Sequence, residues 1–303
     1  MEKSERIWFD GELVPWDRAQ VHVLTHALHY GLAVFEGIRC YACDDGRSAI
    51  FRLREHIDRL YGSAHVLDLP VPYPRERLTE ACLETVRVNK LRECYIRPLV
   101  FPGDGEMGLA ARPATRVAIA AWPWGSYLGD EGMKNGIRVK TSSFARFHPN
   151  TFLTKAKASG HYVNSILASR EARVAGYDEA LMLDVDGYVS EASGENLFIV
   201  TKGVVRTPPL PTVLAGITRA SVLALLADAG IPAREERLTR DEIYLADEAF
   251  FTGTAAEVTP IRELDDRRIG DGRPGPMTQR LQNLFFSVVR GREERYRSWL
   301  AYV

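Results

Sequence analysis

The chain has 303 residues, 46% of them hydrophobic, and a formal net charge of −1. That is enough apolar material for one large core or two smaller ones, and the near-neutral balance argues against nucleic acid or an anionic membrane as partner. No apolar run reaches the roughly 20 residues of a membrane helix, and the charged start Met1–Arg6 lacks a signal-peptide core, so cytoplasmic residence is expected.

Ile7–Val14 predicts a hairpin turning at Asp10-Gly11. A short strand is expected at Ala49–Phe51. Arg52–Leu67 carries Leu53, Ile57, Leu60 and Ala64 at helical spacing, and Arg75–Lys90 carries Leu78, Cys82 and Val86 in the same way. Cys94–Phe101 and Val117–Trp122 predict strands. Between them, Gly103-Asp-Gly-Glu-Met-Gly108 fits the G-x-G-x-x-G pattern. A dinucleotide site would need a helix to start there, and Pro113 would break it early, so a glycine-rich loop is expected. Residues 123–136, rich in glycine and aromatics, predict a linker. Ile137–Thr141 opens a second region, with strands at 180–185, 197–201 and 248–252 and helices near 161–175, 217–229 and 277–290. Thr218 is a candidate cap for the second of these helices.

The irregular alternation predicts an α/β or α+β protein of two domains with a cleft between them. The expected boundaries are 1–122 for a small N-terminal domain, 123–136 for the linker and 137–303 for a large C-terminal domain. Cys40-Tyr-Ala-Cys43 has the spacing of a redox or zinc pair. Cys82 and Cys94 supply no second close pair, so the spacing reads as chance and no metal is expected.

Two segments carry chemistry. Ala180–Val185 and Tyr188-Val189 flank Asp186-Gly187, a dipeptide that favours a tight turn with positive φ at both central positions. Ser190-Glu-Ala-Ser-Gly-Glu-Asn196 follows, so Glu191 stands just past a hairpin where a carboxylate can be aimed. Upstream, Lys155-Ala-Lys-Ala-Ser-Gly-His-Tyr162 places a lysine near a tyrosine. Lysine, tyrosine and aimed carboxylate suit a pyridoxal phosphate site, which needs an amine for covalent attachment, a partner for the ring nitrogen and an anion pocket. Free lysine has a pKa of about 10.4 and must be desolvated to act as a base. Lys157 and Lys155 both qualify; in an extended segment they would point the same way. Read alone, Glu191 is an exposed hairpin-end carboxylate and Arg59 a basic residue on an amphipathic helix.

The motifs His26-Ala-Leu-His-Tyr-Gly31, Val34-Phe-Glu-Gly-Ile-Arg-Cys-Tyr41, Tyr95-Ile-Arg-Pro98, Pro123-Trp-Gly125, Ala156-Lys-Ala158, Gly194-Glu-Asn-Leu-Phe198, Gly216-Ile-Thr-Arg219, Tyr244-Leu-Ala-Asp-Glu248 and Gly253-Thr-Ala-Ala-Glu257 run nearly end to end. Together they resemble the bacterial branched-chain amino-acid aminotransferases, fold-type IV enzymes of the D-amino-acid-aminotransferase-like class. The resemblance implies a two-domain fold with the active site between the domains, a C-terminal domain that binds pyridoxal 5'-phosphate, and a homodimer or higher homo-oligomer. It implies Lys157 as the lysine that holds the cofactor, with Ser159 and His161 departing from the usual Gly and Asn. Glu191 would face the ring nitrogen and Tyr162 the ring hydroxyl. Arg59, Gly216, Ile217, Thr218 and Thr254 would hold the phosphate, with Gly194 and Leu214 completing the cofactor set.

For substrates the resemblance implies an apolar wall of Tyr30, Phe35, Trp124, Tyr127, Tyr162, Met107 and Leu109. Tyr30 and Leu109 would come from a neighbouring subunit, and Gly37 would leave space beside the cofactor. Tyr95 and the Thr254-Ala255-Ala256 backbone would hold the α-carboxylate, and Arg97 the distal carboxylate of glutamate or 2-oxoglutarate. The expected reaction is ping-pong transamination of leucine, isoleucine and valine with 2-oxoglutarate. A D-amino-acid aminotransferase or an aminodeoxychorismate lyase is the alternative within the class, and a nicotinamide-dependent oxidoreductase the alternative outside it.

Overall fold

The computed structural model describes residues 2–125 and 128–303. The chain forms two compact units. The first comprises residues up to Gly125 together with Lys155–Gly160 and Val288–Val303, and the second takes the rest. One short segment from the middle of the chain and one from its end thus join the first unit, an arrangement that contiguous boundaries do not express.

The first unit opens with β1 (Arg6–Phe9) and β2 (Glu12–Pro15), joined at Asp10-Gly11. Both turn residues have positive φ, 48° and 102°, as a two-residue hairpin loop of this kind requires. Then come α1 (His26–Tyr30), β3 (Val34–Phe35), β4 (Ile38–Ala42), β5 (Ser48–Phe51), α2 (Leu53–Val66), α3 (Arg75–Val88), β6 (Cys94–Pro102) and β7 (Thr115–Trp122). Strand pairing here is antiparallel. Strand alternation sorts the side chains. Ile38, Cys40, Cys94 and Ile96 enter a core with Ile57 and Leu60 of α2 and Leu78, Cys82 and Val86 of α3. Arg39, Tyr95 and Arg97 belong to the opposite face. Residues 103–114 link β6 to β7 without a helix, so no helix N-terminus meets the glycine pattern at Gly103–Gly108.

The second unit begins with α4 (Gly129–Asn135), so part of the expected linker is helical; its acidic first turn, Asp130 and Glu131, suits a helix N-terminus. It continues with β8 (Ile137–Thr141), α5 (Tyr162–Val174), β9 (Glu179–Leu183), β10 (Val189–Ala192), β11 (Asn196–Thr201), β12 (Val204–Thr207), α6 (Ile217–Asp228), β13 (Ala233–Glu235), α7 (Arg240–Tyr244), β14 (Glu248–Gly253), β15 (Glu257–Leu264), β16 (Arg267–Arg268) and α8 (Pro276–Val289). Their sheet runs β10-β9-β8-β15-β14-β11-β12-β13 and mixes parallel with antiparallel pairs. Leu197–Val200 of β11 is buried throughout, as a strand covered on both faces demands. Ala168 and Ala172 of α5 pack on Ala180 and Met182 of β9. Ile243 of α7 joins Leu197, Ile199, Ala249 and Phe251 in another cluster. The chain ends in β17 (Leu300–Tyr302), which pairs with β5 and extends the first unit's sheet to the order β17-β5-β4-β6-β7-β1-β2.

Candidate active site

In the first unit, Lys157 lies in an irregular segment bound edge-on to β3. Its carbonyl accepts the Phe35 N–H at 3.1 Å, and Ala33 and Ser159 form a further backbone bond at 2.8 Å. Its own N–H donates to Ser63 Oγ on α2 at 2.9 Å. The ammonium stands 4.9 Å from the centroid of the Phe35 ring. Lys155 belongs to a turn and is exposed, whereas Lys157 is half-buried. The two lysines therefore do not share an extended segment, and the Lys157 backbone is fixed on both sides.

Arg59 projects from α2 beside His56, one helical turn away. Both meet Glu36, which is fully buried between β3 and β4. Arg59 Nε donates to Oε1 at 2.6 Å and Nη2 to Oε2 at 2.8 Å, and His56 Nδ1 approaches Oε2 at 2.7 Å. Burial alone would raise the Glu36 carboxyl; the Arg59 guanidinium and then His56 outweigh it and hold the carboxyl well below the usual range. Burial pushes His56 down despite Glu36, so the imidazole is neutral at physiological pH and donates its Nδ1–H.

On the face of β4 and β6 away from the core, Arg97 Nη2 donates to Tyr95 Oη at 3.1 Å and its guanidinium lies 4.7 Å from the Phe35 centroid. Phe35 thus carries Arg97 and Lys157 around one ring. Trp124 sits edge-on to Tyr95 at 4.4 Å, and Arg39 Nη2 reaches the Trp124 carbonyl at 3.3 Å. The room left by Gly37 is filled by Tyr95: a Cβ there would come within 1.9 Å of Oη. Gly37 therefore admits the tyrosine. Tyr30, Met107 and Leu109 are exposed on α1 and the loop after β6. Tyr127 lies outside the described residues.

In the second unit, the β9–β10 turn has positive φ at Gly187 (85°) but not at Asp186. Asp184 Oδ1 accepts the N–H groups of Asp186 and Tyr188, and Gly187 bonds back to the Asp184 carbonyl, so an aspartate-capped turn ending in a left-handed glycine replaces the expected two-residue one. The register with β9 then slips: Val189 faces Leu183, but Ala192 faces Leu181. The extra residue is a bulge at Ser190-Glu191, a device that re-aims a side chain. Glu191 is buried and held at both oxygens. Arg146 Nη2 is 2.8 Å from Oε1, while Asn196 Nδ2 and the Leu214 N–H each donate to Oε2 at 3.1 Å.

Asn196 also donates to the Leu214 carbonyl at 3.1 Å. Its Oδ1 lies where a Cβ on Gly216 would be, 1.9 Å away, so only glycine fits there. Gly216, in extended conformation, is the N-cap of α6. Thr218, expected as the cap, is buried inside the first turn instead. The N–H groups of Ile217 and Thr218 fall where a helix supplies no carbonyl partner. Thr254, Ala255 and Ala256 form the turn between β14 and β15, closed by Gly253 opposite Glu257. Tyr162 is the first residue of α5 and half-buried. Gly194 precedes β11, its N–H donating to Glu195 Oε2 at 3.1 Å.

Glu36, His56, Ser63, Arg146 and Asn196 were not singled out from the sequence. Glu36 and Asn196 stand inside motifs that carry the resemblance, and a carboxylate between Val34-Phe35 and Ile38 is a visible anomaly. Arg146 gives no signal in a polar stretch.

Residues 33–264 match the family described as amino-transferase class IV. A branched-chain-amino-acid aminotransferase of Pseudomonas aeruginosa is 54% identical over 97% of this chain and 95% of its own length. Among solved structures, the Escherichia coli branched-chain amino acid aminotransferase superposes with a TM-score of 0.96 at 49% identity, over 98% of this chain and 99% of that one. The branched-chain amino acid aminotransferase of Thermobaculum terrenum in its holo-form with pyridoxal phosphate gives a TM-score of 0.93 at 36% identity, over 100% and 99%. This chain is a member of the class IV amino-transferase family.

Proposed function

We propose that the protein exchanges an amino group between branched-chain L-amino acids (leucine, isoleucine and valine) and 2-oxoglutarate, using pyridoxal 5'-phosphate and yielding branched-chain 2-oxo acids and L-glutamate. The observation that carries this reading is the full-length similarity to the branched-chain aminotransferase of Pseudomonas aeruginosa. The residues present fit the cofactor at two points. Gly216 lets the Asn196 side chain close on the start of α6, and Thr252 Oγ1, directly across the sheet from Asn196, is buried without a hydrogen-bond partner among the described residues.

When bound, pyridoxal phosphate supplies an electron sink and carries the amino group from one substrate to the other. Lys157 would attach the cofactor and, as a free amine, would take and return the α-proton of the substrate, as base and then as acid. Glu191 holds a proton at the ring nitrogen, and Tyr162 orients the ring hydroxyl. Arg59 and the N–H groups of Ile217 and Thr218 would bind the phosphate, the first through the part of its guanidinium not turned to Glu36 and the second through the positive end of α6, with Gly216 and Thr254 beside them. Leu214 and Gly194 complete that set. Phe35 and Trp124 exclude water around an aliphatic side chain. Tyr95 and the Thr254–Ala256 backbone bind the α-carboxylate, and Arg97 binds the distal carboxylate of glutamate.

The protein is proposed to work as a homodimer or larger homo-oligomer. Leu109 is 91% exposed and Leu28 on α1 is 63% exposed, with Tyr30 and Met107 also at the surface. Such apolar exposure suits contact with a second copy, to which Tyr30 and Leu109 would contribute pocket walls. Among the described residues, no helix is long and apolar enough to cross a membrane.

The test is the visible absorbance of the purified protein, and 2-oxo acid formation from L-leucine, L-valine and D-alanine with 2-oxoglutarate. The expected result is an absorbance band that fades on adding L-leucine and turnover of both L-amino acids. Lys157→Ala should lose the band and slow turnover roughly a thousandfold, the scale of positioned acid–base catalysis, while Lys155→Ala keeps both. Turnover of D-alanine alone, or a band that survives in Lys157→Ala, would overturn the reading.

A further inference from the structure

We propose that Arg146 is the positioning residue of Glu191: its guanidinium clamps the carboxylate so that it meets the cofactor ring as a fixed anion. This rests on the reading above, in which Glu191 faces the ring nitrogen.

The geometry is that of a built clamp. Arg146 lies in the irregular segment between β8 and α5, and its own backbone N–H donates to the Leu183 carbonyl at 2.7 Å, which pins it to the end of β9. The side chain runs inward, with only 8% of the residue exposed. Its guanidinium carbon is 4.3 Å from the Phe147 ring centroid, and Nη1 reaches Ser165 Oγ on α5 at 3.5 Å. These contacts aim Nη2 at Glu191 Oε1, 2.8 Å away, while Glu191 is 4% exposed.

The division of labour between the two oxygens matters. Oε2 receives two neutral donors, Asn196 Nδ2 and the Leu214 N–H. Arg146 brings the positive charge, and it sits at Oε1. Without it, a bulge-mounted carboxylate in a dry place would lose the positive charge at Oε1 and one restraint on its last torsion. A guanidinium on Oε1 restrains that torsion and offsets the buried charge before any ligand arrives, the preorganisation that a charge-assisted contact needs to be strong.

A plain structural strut would hold the 142–158 segment and nothing more. The two roles separate on a cofactor analogue. In the deaza analogue of pyridoxal phosphate, a C–H replaces the ring nitrogen, so Glu191 has nothing to bind there. Dissociation constants of both compounds are measured on cofactor-free wild type, Arg146→Met and Arg146→Lys by fluorescence quenching. Wild type is expected to prefer pyridoxal phosphate over the analogue. In Arg146→Met that preference should fall about tenfold, the loss of one charge-assisted contact, and Arg146→Lys should lose less. In a Glu191→Gln background, Arg146→Met should leave the preference unchanged. If both constants weaken together with the preference intact, Arg146 is a strut and the proposal fails. A preference that rises shows Arg146 competing for the carboxylate, and also overturns it. A wild type that does not discriminate the two compounds sinks the Glu191 assignment itself, a different outcome from either. Should Arg146→Met not fold, the charge-retaining Arg146→Lys carries the same comparison.

Discussion

Arg59 grips Glu36 at two points, Nε to Oε1 at 2.6 Å and Nη2 to Oε2 at 2.8 Å, and the carboxylate it grips is completely buried. A pair of this kind is weak evidence for net stability over an apolar alternative, but breaking it from one side is expensive, because a buried charge is left behind. Glu36→Gln keeps the shape and removes the charge that Arg59 and His56 face. The expected loss is about 3 kcal/mol, read from the denaturant midpoint. A loss near zero would show that Arg59 finds another counter-charge.

The same cluster sets a pH dependence. His56 has a folded value pushed below its ordinary 6.5, so the unfolded chain takes up a proton there that the folded one resists. Stability therefore falls as pH drops through about 6.5. Glu36 has a folded value held far below its ordinary 4.5, so its contribution is complete above that value and is lost as pH falls further. Both effects act in the same direction. Melting temperature against pH should decline in two stages on the acid side, and His56→Phe should flatten the first.

Gly216→Ala and Gly194→Ala form a matched pair. Neither glycine has the positive φ that would make alanine strained in itself. A Cβ on Gly216 would stand 1.9 Å from Asn196 Oδ1, whereas a Cβ on Gly194 meets nothing within 4 Å. Gly216→Ala must displace Asn196 and with it a partner of Glu191, costing about 1–3 kcal/mol. Gly194→Ala should stay within about 0.5 kcal/mol of wild type. Equal melting temperatures for the two variants would contradict this account.

All of the cysteines are free and buried. Cys40 lies opposite Cys94 in the β4–β6 register, while Cys43, past the end of β4, reaches the Val289 carbonyl instead. The neighbouring Cys94 thiol and burial push Cys40 up, and burial does the same for Cys43 and Cys82. Such thiols are poor nucleophiles. A thiol reagent should label the native protein slowly and all four cysteines only in denaturant. Rapid loss of a Cys40–Cys43 pair on mild oxidation would revive the redox reading of that spacing.

Apolar spacing was enough for α2 and α3, because each buries one face of its helix. The Asp10-Gly11 hairpin was legible from turn chemistry. The Asp186-Gly187 turn was misjudged in detail, since the Asp184 side chain supplies hydrogen bonds that the dipeptide does not advertise. Part of the 123–136 stretch is helical although its glycines read as a linker.

Lys157 could be nominated from the sequence because a lysine among small residues near a tyrosine suits the proposed cofactor, whereas Glu191 and Arg59 took their proposed roles from the resemblance and read alone as a hairpin-end carboxylate and a basic residue on an amphipathic helix. Local pattern could not choose Lys157 over Lys155, since both are lysines among small residues. Folding separated them by tying the Lys157 backbone to Phe35 and Ser63 and leaving Lys155 at the surface. Nor could pattern reveal that Glu36 belongs to Arg59, or Arg146 to Glu191. Those partners are 23 and 45 residues apart, and a buried charge names its counter-charge only when the chain has closed around both.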